Sequence, residues 1–207
     1  MYGILLVTME PAAVLEEEFN DWYDNEHVPE RRAIPGFLNG LRMVCVKGWP
    51  RYLAVYDLEH VRVLDSQGYR DVSGDRFSPW SKRVLNRVRG QYRAAGEQVY
   101  PGQAVTGRFG RLLLIRLRGL PLELESSLID AARQAYEPLT GVKQLRVFRI
   151  GEPAHLDHLI VVESTHSLGV DPLASALFAP FSDKIDVVNE YAPYWVRGHL
   201  PGVFAQH

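Results

Sequence analysis

Apolar positions along this chain follow two rhythms, one of period near two and one near 3.6, and the order of rhythms repeats. Residues 4–8 form a continuous apolar run of strand-forming type. Residues 12–26 lack Gly and Pro and carry Leu15, Phe19, Trp22 and Tyr23 at helical spacing. Residues 41–47 and 52–58 are β-rich runs around Gly48-Trp49-Pro50, a turn signal that predicts an antiparallel hairpin. Phe77, Trp80, Val84 and Val88 then share one helical face while Arg76, Arg83 and Arg87 share another. A weaker strand signal lies between residues 91 and 99. The second half predicts the same series: strand 111–117, helix 123–136, strands 143–150 and 158–164, helix 180–191 and a last strand near 194–197.

The two series also match in detail. Phe77-Ser78-Pro79-Trp80-Ser81-Lys82-Arg83-Val84 returns roughly a hundred residues later as Phe178-Ala179-Pro180-Phe181-Ser182-Asp183-Lys184-Ile185. Gly36 followed by Leu41-Arg42-Met43 is echoed by Gly141 followed by Leu145-Arg146-Val147, and Pro101-Gly102 by Pro201-Gly202. The chain therefore reads as α+β, two diverged βαββαβ units over 1–103 and 104–207. Such a unit forms a four-stranded antiparallel sheet with its helices on one face and the other face bare. Leu112-Leu113-Leu114-Ile115 and Leu159-Ile160-Val161-Val162 are apolar on consecutive positions, so both sheet faces are expected to be dry. The simplest cover for one bare sheet is the other, packed sheet to sheet around a barrel-like interior that is either filled or holds a pocket. Function is expected in that interior.

Composition adds mainly exclusions. Of 207 residues, 46% are hydrophobic, and 23 basic against 25 acidic side chains leave a formal charge of −2. No field is implied that would hold nucleic acid or an anionic membrane, and no run approaches the ~18 apolar residues of a membrane helix. The single Cys45 allows no intrachain disulfide, fits a reducing cytoplasm, and sits in an apolar run as an inert thiol. No phosphate-binding Gly loop and no Gly-x-Ser-x-Gly occur. His155, His158, His166, His199 and His207 lack metal-ligand spacing, so neither a metal nor any other cofactor is expected.

The stretch from Phe19 through Asn20-Asp21-Trp22-Tyr23-Asp24-Asn25-Glu26-His27-Val28-Pro29-Glu30 to Ile34-Pro35-Gly36-Phe37 resembles the first helix and following loop of dimeric α+β barrel proteins. It is most similar to the EthD-like branch, where an aromatic helix runs into His-x-Pro and then Pro-Gly. The resemblance implies tandem ferredoxin-like repeats forming a pseudo-dimeric α+β barrel. The wider superfamily includes cofactor-free monooxygenases, polyketide cyclases, lactone isomerases and haem enzymes, so the fold does not select an activity. The second half has Ala132 near the place of His27, which puts one site per chain in the first half.

Pro29 disfavours helix at Val28, so His27 is expected at a helix C-terminus, where terminal carbonyls and Asp24 or Glu26 would favour the imidazolium. It is either a cap or a proton-transfer group working near neutrality. Tyr23 and Tyr56 are its candidate assistants, and Trp22, Asp24, Arg42 and Tyr52 the candidate ligand-binding residues. Tyr52 and Tyr56 share a strand face and, with Arg42, are candidates to point into the interior. Arg42 is alternatively a sheet-edge residue, and Arg146, at the matching place, suggests a structural role for both. Three functions stay open: a cofactor-independent monooxygenase, cyclase or isomerase acting on a small apolar or aromatic carbonyl compound, a non-catalytic binder of such a molecule, or a structural protein with a filled barrel. A monomer and a homodimer both satisfy the pattern.

Overall fold

The computed structural model describes residues 1–152, 155–169 and 171–194. The first half supplies strands β1 (Gly3–Pro11), β2 (Leu41–Lys47), β3 (Tyr52–Leu58) and β4 (Val88–Tyr100). The second supplies β5 (Arg111–Leu117), β6 (Val142–Glu152), β7 (His155–Ser164) and β8 (Ile185–Pro193). All pairings are antiparallel and close into one barrel in the order β1-β3-β2-β8-β5-β7-β6-β4. Each half contributes four contiguous strands, and the seams are β2 with β8 and β4 with β6. The two sheets thus meet face to face across the interior and also hydrogen-bond edge to edge, leaving no free strand edge among the described strands.

Helices cover the outside. Helix α1 (Glu16–Trp22) continues through a π turn over Tyr23–His27 into α2 (Val28–Arg32). Short α3 (Gln67–Asp71) and α4 (Pro79–Leu85) complete the first half, and α5 (Glu125–Tyr136) covers the second. Ser78 caps α4, its Oγ accepting from the Ser81 amide, and Pro79 occupies the first turn, where a missing N–H is harmless.

Side chains sort into three cores by strand parity. Inside the barrel lie Ile4, Leu6, Leu41, Met43, Leu53, Val55, Leu112, Leu114, Phe148, Leu159, Val161 and Tyr191. Outside β1 and β3 lie Leu5, Val7, Met9, Tyr52, Ala54 and Tyr56 under α1 and α2. Outside β5 and β7 lie Leu113, Ile115, Leu117, Ile160 and Val162 under α5.

Three expectations are corrected. The predicted helix over 180–191 is instead a 3-10 segment, Ala176–Phe181, followed by β8. Ile185, Val187 and Val188 are β-branched, and in the gap between β2 and β5 a strand satisfies two open edges. The last strand near 194–197 and the Pro201-Gly202 echo fall outside the described residues, apart from Tyr194. The first helix does not stop before Pro29: the π turn, closed by the Val28 amide on the Tyr23 carbonyl, carries the chain past the proline. His27 therefore sits inside a helical segment, one turn from its end. Finally, Cys45 is half-buried at the edge of the interior rather than fully enclosed. Of the two interiors left open, a filled one and one with a pocket, apolar side chains occupy most of the space.

Candidate functional site

The predicted site residues come together, but in the layer between α1–α2 and the outer face of the first sheet, not inside the barrel. Tyr52 and Tyr56 share parity with Ala54 and Leu58, all members of the outer core, whereas Leu53 and Val55 point inward. Arg42 likewise alternates with the inward Leu41 and Met43. Expecting these three to face the interior was thus a one-residue parity error, which exchanges the two faces of a sheet.

Trp22 and Tyr23 diverge on the helix yet are both buried, because the segment has two neighbours. Trp22 turns to α4, its Nε1 donating to Ser81 Oγ at 2.9 Å, and Tyr23 turns to the sheet, its hydroxyl 3.9 Å from Met9 Sδ. The His27 ring lies 4.3 Å from the Trp22 ring and meets Tyr23 edge-on at 5.3 Å. Arg42 donates to Asp24 Oδ1 and to Asn20 Oδ1, each at 2.5 Å, which ties β2 to α1. Its guanidinium is 4.6 Å from the Tyr23 ring and 4.1 Å from that of Tyr194. Tyr52 donates to Glu16 and accepts from Asn20.

Arg31 is the residue that sequence reasoning missed. It is 2% exposed, with Nη2 on the Val72 carbonyl at 2.7 Å. The only carboxylate paired with it among the described residues is Glu30, at 3.9 Å, too far for a hydrogen bond. The guanidinium is otherwise walled by rings, 5.2 Å from Tyr69 and 5.8 Å from Phe77. Phe77 is also 6.4 Å from His27, and Tyr69 stacks on Phe37, which in turn lies edge-on to Tyr56. The signal was available: in the helical continuation past Pro29, Arg31 is four residues from His27 and so on the same face. An assumed helix end at His27 concealed it.

Besides Trp80 Nε1 on α4, three polar atoms of this layer are buried with no hydrogen-bond partner among the described residues: His27 Nδ1, Arg31 Nη1 and Tyr56 Oη. Leaving such atoms unpaired costs on the order of 1–3 kcal/mol each, more for a charged group. The electrostatics follow from burial. Desolvation, with Arg31 and Arg42 adding to it, holds the His27 imidazolium well below its ordinary range, the reverse of the expected C-terminal effect. Burial pushes the Tyr23 phenol up to about 12 against the pull of Arg42 and Arg31, and lifts Tyr56 well above its usual value. The layer therefore presents a neutral imidazole, two neutral phenols and a guanidinium without a bonded anion.

Arg146 does not share the surroundings of Arg42. It points into the barrel, fully buried, with Nη1 on Asp57 Oδ1 at 2.7 Å and Nη2 on Glu163 Oε1 and Thr106 Oγ1 at 2.8 Å. Asn39 and the Thr106 amide complete Asp57, and Gln144 and the Gly107 amide complete Glu163. This network joins the halves, Asp57 coming from β3 and Arg146 and Glu163 from β6 and β7, and plugs one end of the interior. Among the described residues no three His, Cys, Asp or Glu side chains converge as a metal site, and no helix is long and apolar enough to cross a membrane.

No protein-family profile matches the chain, and no curated protein sequence does. Solved structures do match. An anthrone oxidase-like protein superimposes with a TM-score of 0.59 at 12% identity, over 93% of this chain and 91% of its own. A proposed monooxygenase from Lactobacillus acidophilus NCFM gives 0.51 at 8%, over 93% of both chains. A mutant chlorite dismutase from Candidatus Nitrospira defluvii gives 0.51 at 10%, over 93% and 92%. At such identities the likeness establishes the fold: this chain is an α+β protein with the dimeric α+β barrel architecture, both halves supplied by one polypeptide.

Proposed function

We propose that the first-half helix–sheet layer binds a small aromatic carbonyl compound and moves a proton on it without a cofactor, His27 acting as the base. The observation that carries this reading is that His27 Nδ1, Arg31 Nη1 and Tyr56 Oη, all in one layer linked by ring contacts, are each buried without a hydrogen-bond partner among the described residues. A C–H bond beside the carbonyl breaks, its proton passes to His27 Nδ1, and the electron pair moves to the carbonyl oxygen, where Arg31 and Tyr56 donate. Return of the proton to the same or another carbon completes an exchange or an isomerisation. Desolvation keeps His27 unprotonated and able to accept, and the positive field that depresses it also stabilises the enolate.

Trp22 and Tyr23 wall and orient the ring, Asp24 and Arg42 fix α1 against β2, and Tyr52 closes that side through Glu16. The anthrone oxidase-like and monooxygenase fold neighbours, and the likeness of residues 19–37 to the EthD-like branch, support a small aromatic substrate. One chain closes its own barrel, so we assign a monomer or a homodimer that needs no exchange of strands.

The test is exchange of α-hydrogens in D2O, followed by NMR with 2-tetralone and 2′-hydroxyacetophenone. The protein accelerates exchange, and His27→Ala lowers the rate by about a hundredfold. No acceleration with either ketone, or an unchanged rate in His27→Ala, refutes catalysis. Saturable binding without exchange leaves a binder.

A further inference from the structure

At the end of the barrel opposite the Arg146 network lies a cavity that the layer chemistry does not use. On β1 the register sets Asp57 opposite Ile4 but Tyr92 opposite Thr8, so the two clusters occupy opposite ends. The cavity measures about 240 Å³ and is walled by Trp49, Pro50, Tyr92, Leu114, Leu159 and Val187. It is smaller than the ~300–1,000 Å³ of drug-sized sites, a size that suits one or two fused rings.

The mouth is a constructed feature. The Trp49 amide donates to Asn189 Oδ1 at 3.3 Å, and Asn189 Nδ2 donates back to the Trp49 carbonyl at 2.7 Å and to Tyr191 Oη at 2.9 Å. Asn189 is 4% exposed, whereas the residue whose backbone it clamps is 56% exposed, so the Trp49 indole borders the opening. Gly90 permits this: its φ is +58°, and a Cβ there would stand 2.1 Å from the Trp49 ring.

The polar groups at the mouth balance in charge. Arg116 lies over the Tyr92 ring at 4.1 Å and grips both Asp186 oxygens at 2.7 Å, and Arg118 reaches the same carboxylate at 2.6 Å. Asp157, which accepts from the Gly119 amide, adds a second negative charge near Tyr92. Two cations against two carboxylates leave no charge for a ligand to neutralise. The buried Tyr92 Oη interacts with Arg116, whose guanidinium covers its ring, but makes no hydrogen bond of good geometry among the described residues.

We infer that the barrel mouth is a second binding site, independent of the His27 layer, for a small neutral aromatic molecule with one oxygen that accepts from Tyr92. The ring lies between the Trp49 indole and the Leu114, Leu159 and Val187 wall.

The probe is 2-naphthol, titrated by isothermal calorimetry. Saturable binding is expected in the wild type, weakened about fivefold in Tyr92→Phe, abolished in the mouth-filling Val187→Trp and unchanged in His27→Ala. The inference is overturned by no saturation below 1 mM, by indifference to Val187→Trp, or by loss in His27→Ala, which would assign the molecule to the layer. Should Val187→Trp not fold, 19F NMR of 5-fluorotryptophan-labelled protein decides, with Trp49 assigned by Trp49→Phe. A probe-dependent shift largest at Trp49 supports the mouth, and one largest at Trp22 or Trp80 overturns it.

Discussion

Between α1–α2 and its sheet the first half buries Arg31, Arg42, His27 and the phenols of Tyr23, Tyr52 and Tyr56. Between α5 and its sheet the second half buries Leu128, Ala131, Ala132, Val147, Ile160, Val162, Phe178 and Phe181. Both layers do the same architectural task on matching strands, so the polar content of the first is not needed to hold a helix to a sheet. The second has unpaired atoms of its own, Tyr136 Oη and His158 Nδ1, but no buried arginine or lysine among the described residues. His158 is held by Glu125 at 2.9 Å. Arg31 therefore marks the difference: a buried charge whose nearest carboxylate stands off is a cost that an apolar residue would avoid.

Substitutions can break or sharpen this contrast. The largest loss is expected for Arg146→Met, which leaves Asp57 and Glu163 buried without their cation. A destabilisation of about 3–5 kcal/mol in urea unfolding would identify the plug as structural, and a near-neutral result would dissolve its distinction from Arg31. Leu128→Ala should cost about 2–5 kcal/mol by opening a hole in the aliphatic layer while ketone exchange per folded molecule stays constant. A changed exchange rate would place chemistry in the wrong half.

A smaller effect is in pH. The His27 pKa is depressed in the fold, so below the unfolded value of about 6.5 the unfolded chain holds a proton that the native protein excludes. The neutral-ring contribution is complete above about pH 6.5 and is lost as pH falls towards the depressed folded value. Between pH 6 and 5, His27→Gln should therefore flatten the stability profile by up to about 1.4 kcal/mol per pH unit, and an identical slope would show an ordinary, accessible histidine. The smallest effects are those of Tyr56→Phe and Tyr136→Phe. Neither hydroxyl has a hydrogen-bond partner among the described residues, so each should stay within about 1 kcal/mol of wild type, with only Tyr56→Phe slowing exchange.

Strands β2, β3 and β5 were legible residue by residue, because each apolar run ends at a Gly, Pro or charged turn. The repeat was legible too, and it also misled. The likeness of 178–185 to 77–84 implied a helix where Ile185 opens β8, since similar side chains do not reveal which neighbours will claim the backbone. The pairing of Arg42 with Arg146 failed for a related reason. Those arginines align in sequence but fall on opposite sheet faces, and the ladder shifts register between Val142 and Gln144. The aromatic helix was legible in the sequence, and His27 stood out there as a candidate. Their position in the outer layer was not, because strand parity relative to the barrel is a property of the closed sheet, and Arg31 stayed hidden behind a helix end that a π turn removes.

The most direct test of the first layer as the site is the urea midpoint of Arg31→Met measured without ligand. A site that holds a buried cation with no hydrogen-bonded carboxylate, ready for a substrate enolate, predicts a higher midpoint at unchanged slope, a gain of about 1–4 kcal/mol, together with lost ketone exchange. A midpoint lowered as far as that of Leu128→Ala would mean that Arg31 is a structural member of the layer, and the account would fail.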